Sequence, residues 1–398
     1  MKICVLNYEF PPLGGGGGIG CYELSKELVK MGNEVIVITT GYNNLPSFEI
    51  KDGITIYRVN CFRRDIEVAS FHSMSLFLPR TIHLLVNLIK KHDIEIINAH
   101  FALPSAIPGI LVKKITKVPI VVTLIGGDIY DPTKRKHLFR RFGFNPICRF
   151  VLKHADSLTS ISEDIRNRSI ALGAKKDITV IPYGVNTELF NRKKRRNSIR
   201  KKIAGKNSRI ILSVGRLIKR KGYGYLLRAI PEILIDFPES VFVIVGKGPE
   251  KRYLTKLVDK LGINDNVLFL GTIPNKNLPE IYANSDLFVL PSIHEGLGIV
   301  YLEAMASGLP IVTTNSGGMR DLIIDGQTGI LIKPKNSEGI AKAIKDLLCD
   351  EELIKHLVNN GRELVERNFS WRQTAVKYLR AYQSICRSNS STQNFSVL

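Results

Sequence analysis

With 398 residues, an apolar fraction of 44% and a net charge of +21, the chain has room for two domains of about 150–200 residues each and the composition of a globular protein. It has no run of about 18 uncharged apolar residues, so no transmembrane helix is expected, and Met1–Asn7 is too short and strand-like for a signal peptide. The charge predicts attraction to phosphate, whether on a nucleotide sugar, an anionic lipid or a nucleic acid.

Ile3–Leu6 reads as a first buried strand. After Leu13 comes Gly14-Gly-Gly-Gly-Gly-Ile-Gly20, a loop leading to a helical pattern, Tyr22–Met31, that stops at Gly32. Glycines bring backbone N–H groups against a phosphate at a helix start, and Gly15, Gly17 and Gly20 satisfy G-x-G-x-x-G. Strand two, however, ends Ile38-Thr-Thr-Gly41, without the acid that holds the ribose of a dinucleotide. NAD and FAD are therefore disfavoured. A close ligand contact explains the ordering of five consecutive glycines better than a free loop does.

Val35–Thr39, Ile94–Asn98 and Ile120–Leu124 continue as short strands with helical patterns between them, the alternation of a doubly wound α/β sheet. His100, in Asn98-Ala-His100, stands at a sheet edge. Its near-neutral pKa suits action on an acceptor hydroxyl, and a purely structural histidine reads equally well. Lys134–Lys153 mixes basic residues with Leu138, Phe139, Phe142, Phe144, Ile147, Phe150, Val151 and Leu152. It admits two readings, a surface resting on an anionic membrane or a core-packed helix with a wet basic face. The run Arg192–Lys202 reads as a solvated connector within residues 186–208.

The pattern then restarts. Ile210–Val214 is a strand entering Gly215-Arg-Leu-Ile-Lys-Arg-Lys-Gly222, which places Arg216 and Lys221 in a βα loop. Two cations there suit the negative charge that builds up on a departing diphosphate, without a metal. Val241–Val245 leads to Gly246-Lys-Gly248, and Leu287–Leu290 leads to Pro291-Ser-Ile-His-Glu-Gly-Leu-Gly298. Glu295 falls on that loop and Glu303 on the helix after it, which Gly308 and Pro310 end. Pro310–Thr314 precedes Ser316-Gly-Gly318, Trp371–Cys386 forms a last helix, and the polar residues from 387 to 398 are expected to be disordered. Cys4, Cys21, Cys61, Cys148, Cys349 and Cys386 form no C-x-x-C pair or zinc-like cluster. They are expected to be reduced thiols of a cytoplasmic protein.

The segment Glu295-x7-Glu303 resembles the E-x7-E signature of retaining glycosyltransferases of the GT-B fold, family four. Pro11-Pro-Leu-Gly-Gly15, the G-R-L-x-x-x-K-G run ending at Gly222, Gly246-Lys-Gly-Pro-Glu250 and Ser316-Gly-Gly318 resemble further motifs of that family, in the same order. The resemblance implies two Rossmann-like domains facing across a cleft. Residues 1–185 would bind the acceptor and 209–370 the nucleotide sugar, with 371–386 crossing back to the first domain. It implies transfer from a UDP- or GDP-sugar to a hydroxyl of a glycan, glycolipid or polyprenyl-linked saccharide with retention of configuration. No cofactor is expected, and with no D-x-D motif, no metal.

By the same resemblance Gly15, Gly16 and Gly17 face the donor phosphates, and Gly246 and Gly248 lie under the nucleotide. Arg216 and Lys221 hold the diphosphate, and Glu303 holds the ribose. Glu295 contacts the transferred sugar beside the N–H groups of Gly296, Leu297 and Gly298. Asp128, in Thr123-Leu-Ile-Gly-Gly-Asp128, matches the acid of a pattern whose histidine is here Ile125. Asp128 would contact the acceptor, and the histidine's contact to the donor sugar is not carried over. Two rival readings are a GT-B-fold nucleotide-sugar epimerase and a basic membrane or nucleic-acid adaptor on a retired transferase fold. Intact Arg216, Lys221 and Glu303 argue against the adaptor, and with it against nucleic acid as partner.

Overall fold

Ile3, Cys4, Val5 and Leu6 are all buried, because a parallel strand inside a sheet is covered on both faces and carries apolar residues continuously. They belong to β1, one element of a computed structural model that describes residues 1–63, 70–134, 144–204 and 208–394. The chain divides into two units, Met1–Tyr183 with Trp371–Leu398, and Gly184–Ser370.

The first unit runs β1 (Lys2–Asn7), α1 (Gly16–Lys30), β2 (Glu34–Thr40), β3 (Phe48–Lys51), β4 (Ile54–Val59), α2 (Phe71–His92), β5 (Ile96–His100), α3 (Ile107–Thr116), β6 (Ile120–Leu124), α4 (Asn145–His154), β7 (Ser157–Ser160), α5 (Glu163–Leu172) and β8 (Ile178–Val180). The eight strands lie in the order β3-β4-β2-β1-β5-β6-β7-β8. Among the described residues only the β3–β4 pair is antiparallel. Chain order reverses between β1 and β5, which therefore form the switch point of this sheet. Leu6, Ile36, Ile38, Phe77, Leu85, Ile97, Val122 and Leu158 form the core between sheet and helices.

The second unit runs α6 (Asn197–Ile203), β9 (Ile210–Val214), α7 (Tyr223–Asp236), β10 (Val241–Val245), α8 (Lys251–Leu261), β11 (Val267–Gly271), α9 (Leu278–Ala283), β12 (Leu287–Leu290), α10 (Ile299–Ala306), β13 (Ile311–Thr314), α11 (Met319–Leu322), β14 (Ile330–Ile332), α12 (Ser337–Cys349) and α13 (Glu351–Asn368). Its strands are all parallel, in the order β11-β10-β9-β12-β13-β14. Here the reversal falls between β9 and β12. The final helix, α14 (Trp371–Asn394), packs on α1 of the first unit and buries Tyr378 and Tyr382. No described helix is long and apolar enough to cross a membrane.

Two local expectations change and two are refined. The glycine run is not loop throughout, because α1 begins at Gly16. The last helix continues to Asn394 instead of ending at 386. The basic run of the connector, Arg192–Lys202, is exposed at most of its described residues, as expected, yet two of its arginines anchor it to the second unit. Arg192 donates to the carbonyls of Ser285 (3.3 Å) and Gly308 (3.1 Å), and Arg200 reaches Asn284 O (3.0 Å) and the Asp286 carboxylate (2.7 Å). These carbonyls follow the C-termini of α9 and α10, where the helix dipole favours cations. Within Lys134–Lys153, residues 135–143 lie outside the described residues. The rest forms α4, which buries Cys148, Val151 and Leu152 and exposes Ile147, Arg149 and Lys153.

Candidate active site

The switch point of the second sheet carries the densest set of charged side chains named by the sequence. Arg216, Arg220 and Lys221 lie on the loop after β9, and Glu295 lies on the loop after β12. The two loops are joined by a hydrogen bond from Ile293 N to Arg220 O at 2.7 Å. The Lys221 ammonium sits directly on Glu295 Oε1, and both side chains are about nine-tenths buried. Ser292 Oγ donates to the same oxygen at 3.0 Å. No hydrogen bond to Glu295 Oε2 is made among the described residues.

Burial alone would raise the Glu295 pKa. The charges of Lys221 and Arg220, with hydrogen bonds from Lys221 and Ser292, outweigh it and hold the carboxyl down to about 2. For Lys221 the balance runs the other way. Burial lowers its pKa despite Glu295, and Arg220 and Arg216 push in the same direction. We take the pair as ionised at neutral pH, because the carboxylate is held by several donors at once. Lys221 and Arg220 thus both act on the Glu295 carboxylate, and Arg216 lies close enough to Lys221 to lower its pKa.

Glu303 lies on α10, nearly buried, and its Oε2 accepts a hydrogen bond from Tyr282 at 2.9 Å. Gly298 is the N-cap of α10, so the N–H groups of Gly296, Leu297 and Gly298 precede its first hydrogen-bonded turn. Gly246 and Gly248 pack over the loop after β9. A Cβ on Gly246 would lie 2.1 Å from Gly215 O, and Leu217 N donates to Lys247 O at 2.7 Å.

The Ser316-Gly-Gly318 turn supports the Glu295 loop from behind. Ser316 Oγ donates to Ile293 O (2.8 Å) and Gly318 N to Glu295 O (3.0 Å). Gly317 has φ +66°, and a Cβ there would stand 2.2 Å from Glu295 O. Gly317→Ala is expected to cost about 2–3 kcal/mol through left-handed strain and to weaken donor binding by displacing Glu295. Urea unfolding with nucleotide titration checks this. Wild-type values in both would show that the turn tolerates a side chain.

In the first unit the glycine loop is already engaged by a carboxylate. Glu9 Oε2 accepts from Gly15 N at 3.2 Å. Gly16 faces open space, whereas a Cβ on Gly17 would meet the Phe101 ring at 2.5 Å. Gly16 and Gly17 open α1, and their N–H groups have no carbonyl of their own helix to bond.

Both acceptor-side candidates are buried in the first unit. His100 is fully buried, with Nδ1 3.0 Å from the Tyr183 hydroxyl and its ring flanked by Tyr183 and Tyr378. Burial pushes its pKa down to about 3, so it is a neutral interior imidazole and not an open base at the edge. Asp128 is buried too, and its oxygens accept from Ala102 N (2.6 Å) and Gly126 N (3.2 Å). Its carboxylate ties Ala102 to the turn at Gly126. Burial raises its pKa, partly opposed by those backbone donors. Sequence reasoning assigned nothing to Glu9, Tyr282 or Ser292. Tyr282 reads as core, and Ser292 carries no signal beyond its place between Pro291 and Glu295.

Known proteins match both units. Residues 14–189 match the family model described as Glycosyltransferase Family 4, and residues 194–364 match that of Glycosyl transferases group 1. The N-acetyl-alpha-D-glucosaminyl L-malate synthase of Bacillus anthracis is 30% identical over 398 residues, spanning 97% of this chain and 98% of that protein. A GDP-mannose-dependent alpha-(1-6)-phosphatidylinositol monomannoside mannosyltransferase of Mycolicibacterium smegmatis is 29% identical over 390 residues, spanning 94% of this chain and 96% of that one. The solved sucrose-phosphate synthase of Thermosynechococcus elongatus shares the fold, with a TM-score of 0.85 at 23% identity over 98% of this chain and all of that one. The chain belongs to glycosyltransferase family four, and is a retaining GT-B-fold transferase that moves a sugar from a nucleotide-sugar donor to an acceptor hydroxyl.

Proposed function

We propose that the loops after β9 and β12 hold the donor, with Arg216 and Lys221 on its diphosphate, Glu303 on the ribose and Glu295 on the sugar. The observation that carries this is the buried Lys221–Glu295 pair beside Arg216 at the switch point. A buried ion pair is an expensive way to hold two loops together. It is economical where an anionic ligand supplies further charge. Lys221 then shares its charge with the diphosphate, while Glu295 Oε2 accepts a sugar hydroxyl.

In the transfer, the bond from the anomeric carbon to the diphosphate oxygen breaks and its electron pair stays on that oxygen, stabilised by Arg216 and Lys221. The acceptor oxygen bonds to the anomeric carbon on the same face. With His100 neutral inside the protein and Asp128 held by backbone donors, the departing diphosphate oxygen is the base that takes the acceptor proton. The donor is a UDP- or GDP-sugar, and the acceptor a hydroxyl of a glycan, glycolipid or polyprenyl-linked saccharide bound by the first unit. Thermal shift and sugar-release assays across UDP-, GDP- and ADP-sugars test this. One donor is expected to stabilise the protein and to release sugar slowly. No stabilisation by any of them would overturn the reading.

We also infer peripheral attachment to anionic membrane, supported by α4, whose exposed residues include Ile147, Arg149 and Lys153. Phosphatidylglycerol vesicles should sediment the protein and added salt should release it. No co-sedimentation at low salt would overturn this.

A further inference from the structure

We propose that Tyr282 is a positioning residue for donor recognition, its hydroxyl setting the orientation in which Glu303 meets the ribose diol. This rests on the ribose role proposed above for Glu303. Tyr282 is on α9 and Glu303 on α10, so the contact joins two helices that flank β12. The Tyr282 ring is fully buried, with Phe288 stacked at 5.8 Å and Phe190 edge-on at 5.6 Å between centroids. Its position is therefore set by packing before any ligand arrives.

The hydroxyl lies 2.9 Å from Glu303 Oε2 and 3.3 Å from Val300 O. A phenol has one proton to donate, and the carboxylate is the stronger acceptor at the shorter distance. Burial, then the charge of Glu303, raise the Tyr282 pKa well above its usual value, so the group stays a donor throughout the physiological range. A glutamate side chain on a helix has three free torsions. Two vicinal hydroxyls are recognised only when both carboxylate oxygens are presented at a defined angle. A fixed donor at Oε2 restricts that freedom, and a carboxylate offers about four acceptor sites, more than one donor occupies.

The test is calorimetric titration of UDP, GDP and ADP, each with its 2′,3′-dideoxy analogue, into wild type, Glu303→Gln and Tyr282→Phe. Wild type should prefer one ribonucleotide over its dideoxy form, and Glu303→Gln should lose that preference. Tyr282→Phe should reduce the preference about 5–10-fold, the loss of one hydrogen bond, with the dideoxy affinity unchanged. Tyr282→p-aminophenylalanine, which keeps a para donor, should restore it. Tyr282→p-methylphenylalanine, which fills the space without a donor, should not, and it replaces Tyr282→Phe should that variant not fold. If Glu303→Gln loses the preference while the donor-free Tyr282 variants keep it, the proposal for Tyr282 is overturned and that for Glu303 stands. If Glu303→Gln keeps it, or no nucleotide binds, the ribose reading falls and takes this proposal with it.

Discussion

Lys221→Met is expected to lower kcat about 10²–10³-fold, the range found when one preorganised charge is removed from a developing anion. The ammonium is held on the loop after β9 in a nearly water-free position, where its interaction with a departing diphosphate would be only weakly screened. Methionine keeps the length and the apolar packing of the stem, so the loss reports the charge. A second effect must be separated from the first. Without Lys221, Glu295 becomes a buried carboxylate that has lost its principal counter-ion, and breaking such a pair costs about 3–5 kcal/mol. Its carboxyl pKa should then rise, because burial is the largest influence on it once the lysine is gone.

The double variant Lys221→Met with Glu295→Gln removes both charges. It should regain most of the stability lost in Lys221→Met while remaining slow. Steady-state kinetics and urea unfolding on the same samples decide the matter. If the double variant also regained turnover, Lys221 would be a counter-ion for Glu295 and not a leaving-group ligand. A folded Lys221→Met with wild-type kcat would remove the catalytic role altogether.

Both members of this pair were legible in the sequence as loop residues, but their partnership was not. Arg216 and Lys221 follow one apolar run, and Glu295 follows another about 75 residues later. Their contact exists because β9 and β12 are neighbours across the reversal in strand order, a property of the crossover connections and not of either segment. The alternation of buried strands was readable because parallel strands are apolar throughout. Short amphipathic elements such as β3 and β4, partly exposed, escaped that signal.

His100 shows the same boundary from the other side. Its place at a strand end was readable, yet its burial depends on Tyr183 and on Tyr378 from α14, far along the chain. The basic run of the connector is largely exposed, as its charge suggested, but its two anchoring arginines were not legible. The carbonyls that receive Arg192 and Arg200 belong to segments near residues 284–286 and 308, and nothing local announces them. Tyr282 was hidden for a related reason. Among apolar residues a tyrosine reads as bulk, and only the position of Glu303 gives its hydroxyl a use.

Glu295→Gln should destabilise the ligand-free protein by about 3 kcal/mol, at the lower end for a broken buried pair, or roughly 6–12 °C in Tm for a domain of this size. Glutamine keeps the shape and can still accept from Ser292, but Lys221 then lies buried beside Arg216 and Arg220 without its carboxylate. Two further results are expected of this variant. A nucleoside diphosphate supplies the missing negative charge, so it should raise the Tm of Glu295→Gln by more than it raises that of wild type.

The gap between the two proteins should also close in acid. The Glu295 pKa is held at about 2 in the folded state, below the value near 4.3 of an unperturbed glutamate. A depressed carboxylate pKa contributes stability that is fully present above about pH 4.3 and is lost as the pH falls through about 2. The wild-type advantage should therefore be constant from neutrality to about pH 4.5 and shrink below that. Chemical unfolding at a series of pH values measures it. An advantage that persisted unchanged to pH 2 would mean the carboxylate charge is not what holds Lys221. A nucleotide shift no larger in Glu295→Gln than in wild type would mean the diphosphate does not reach the lysine.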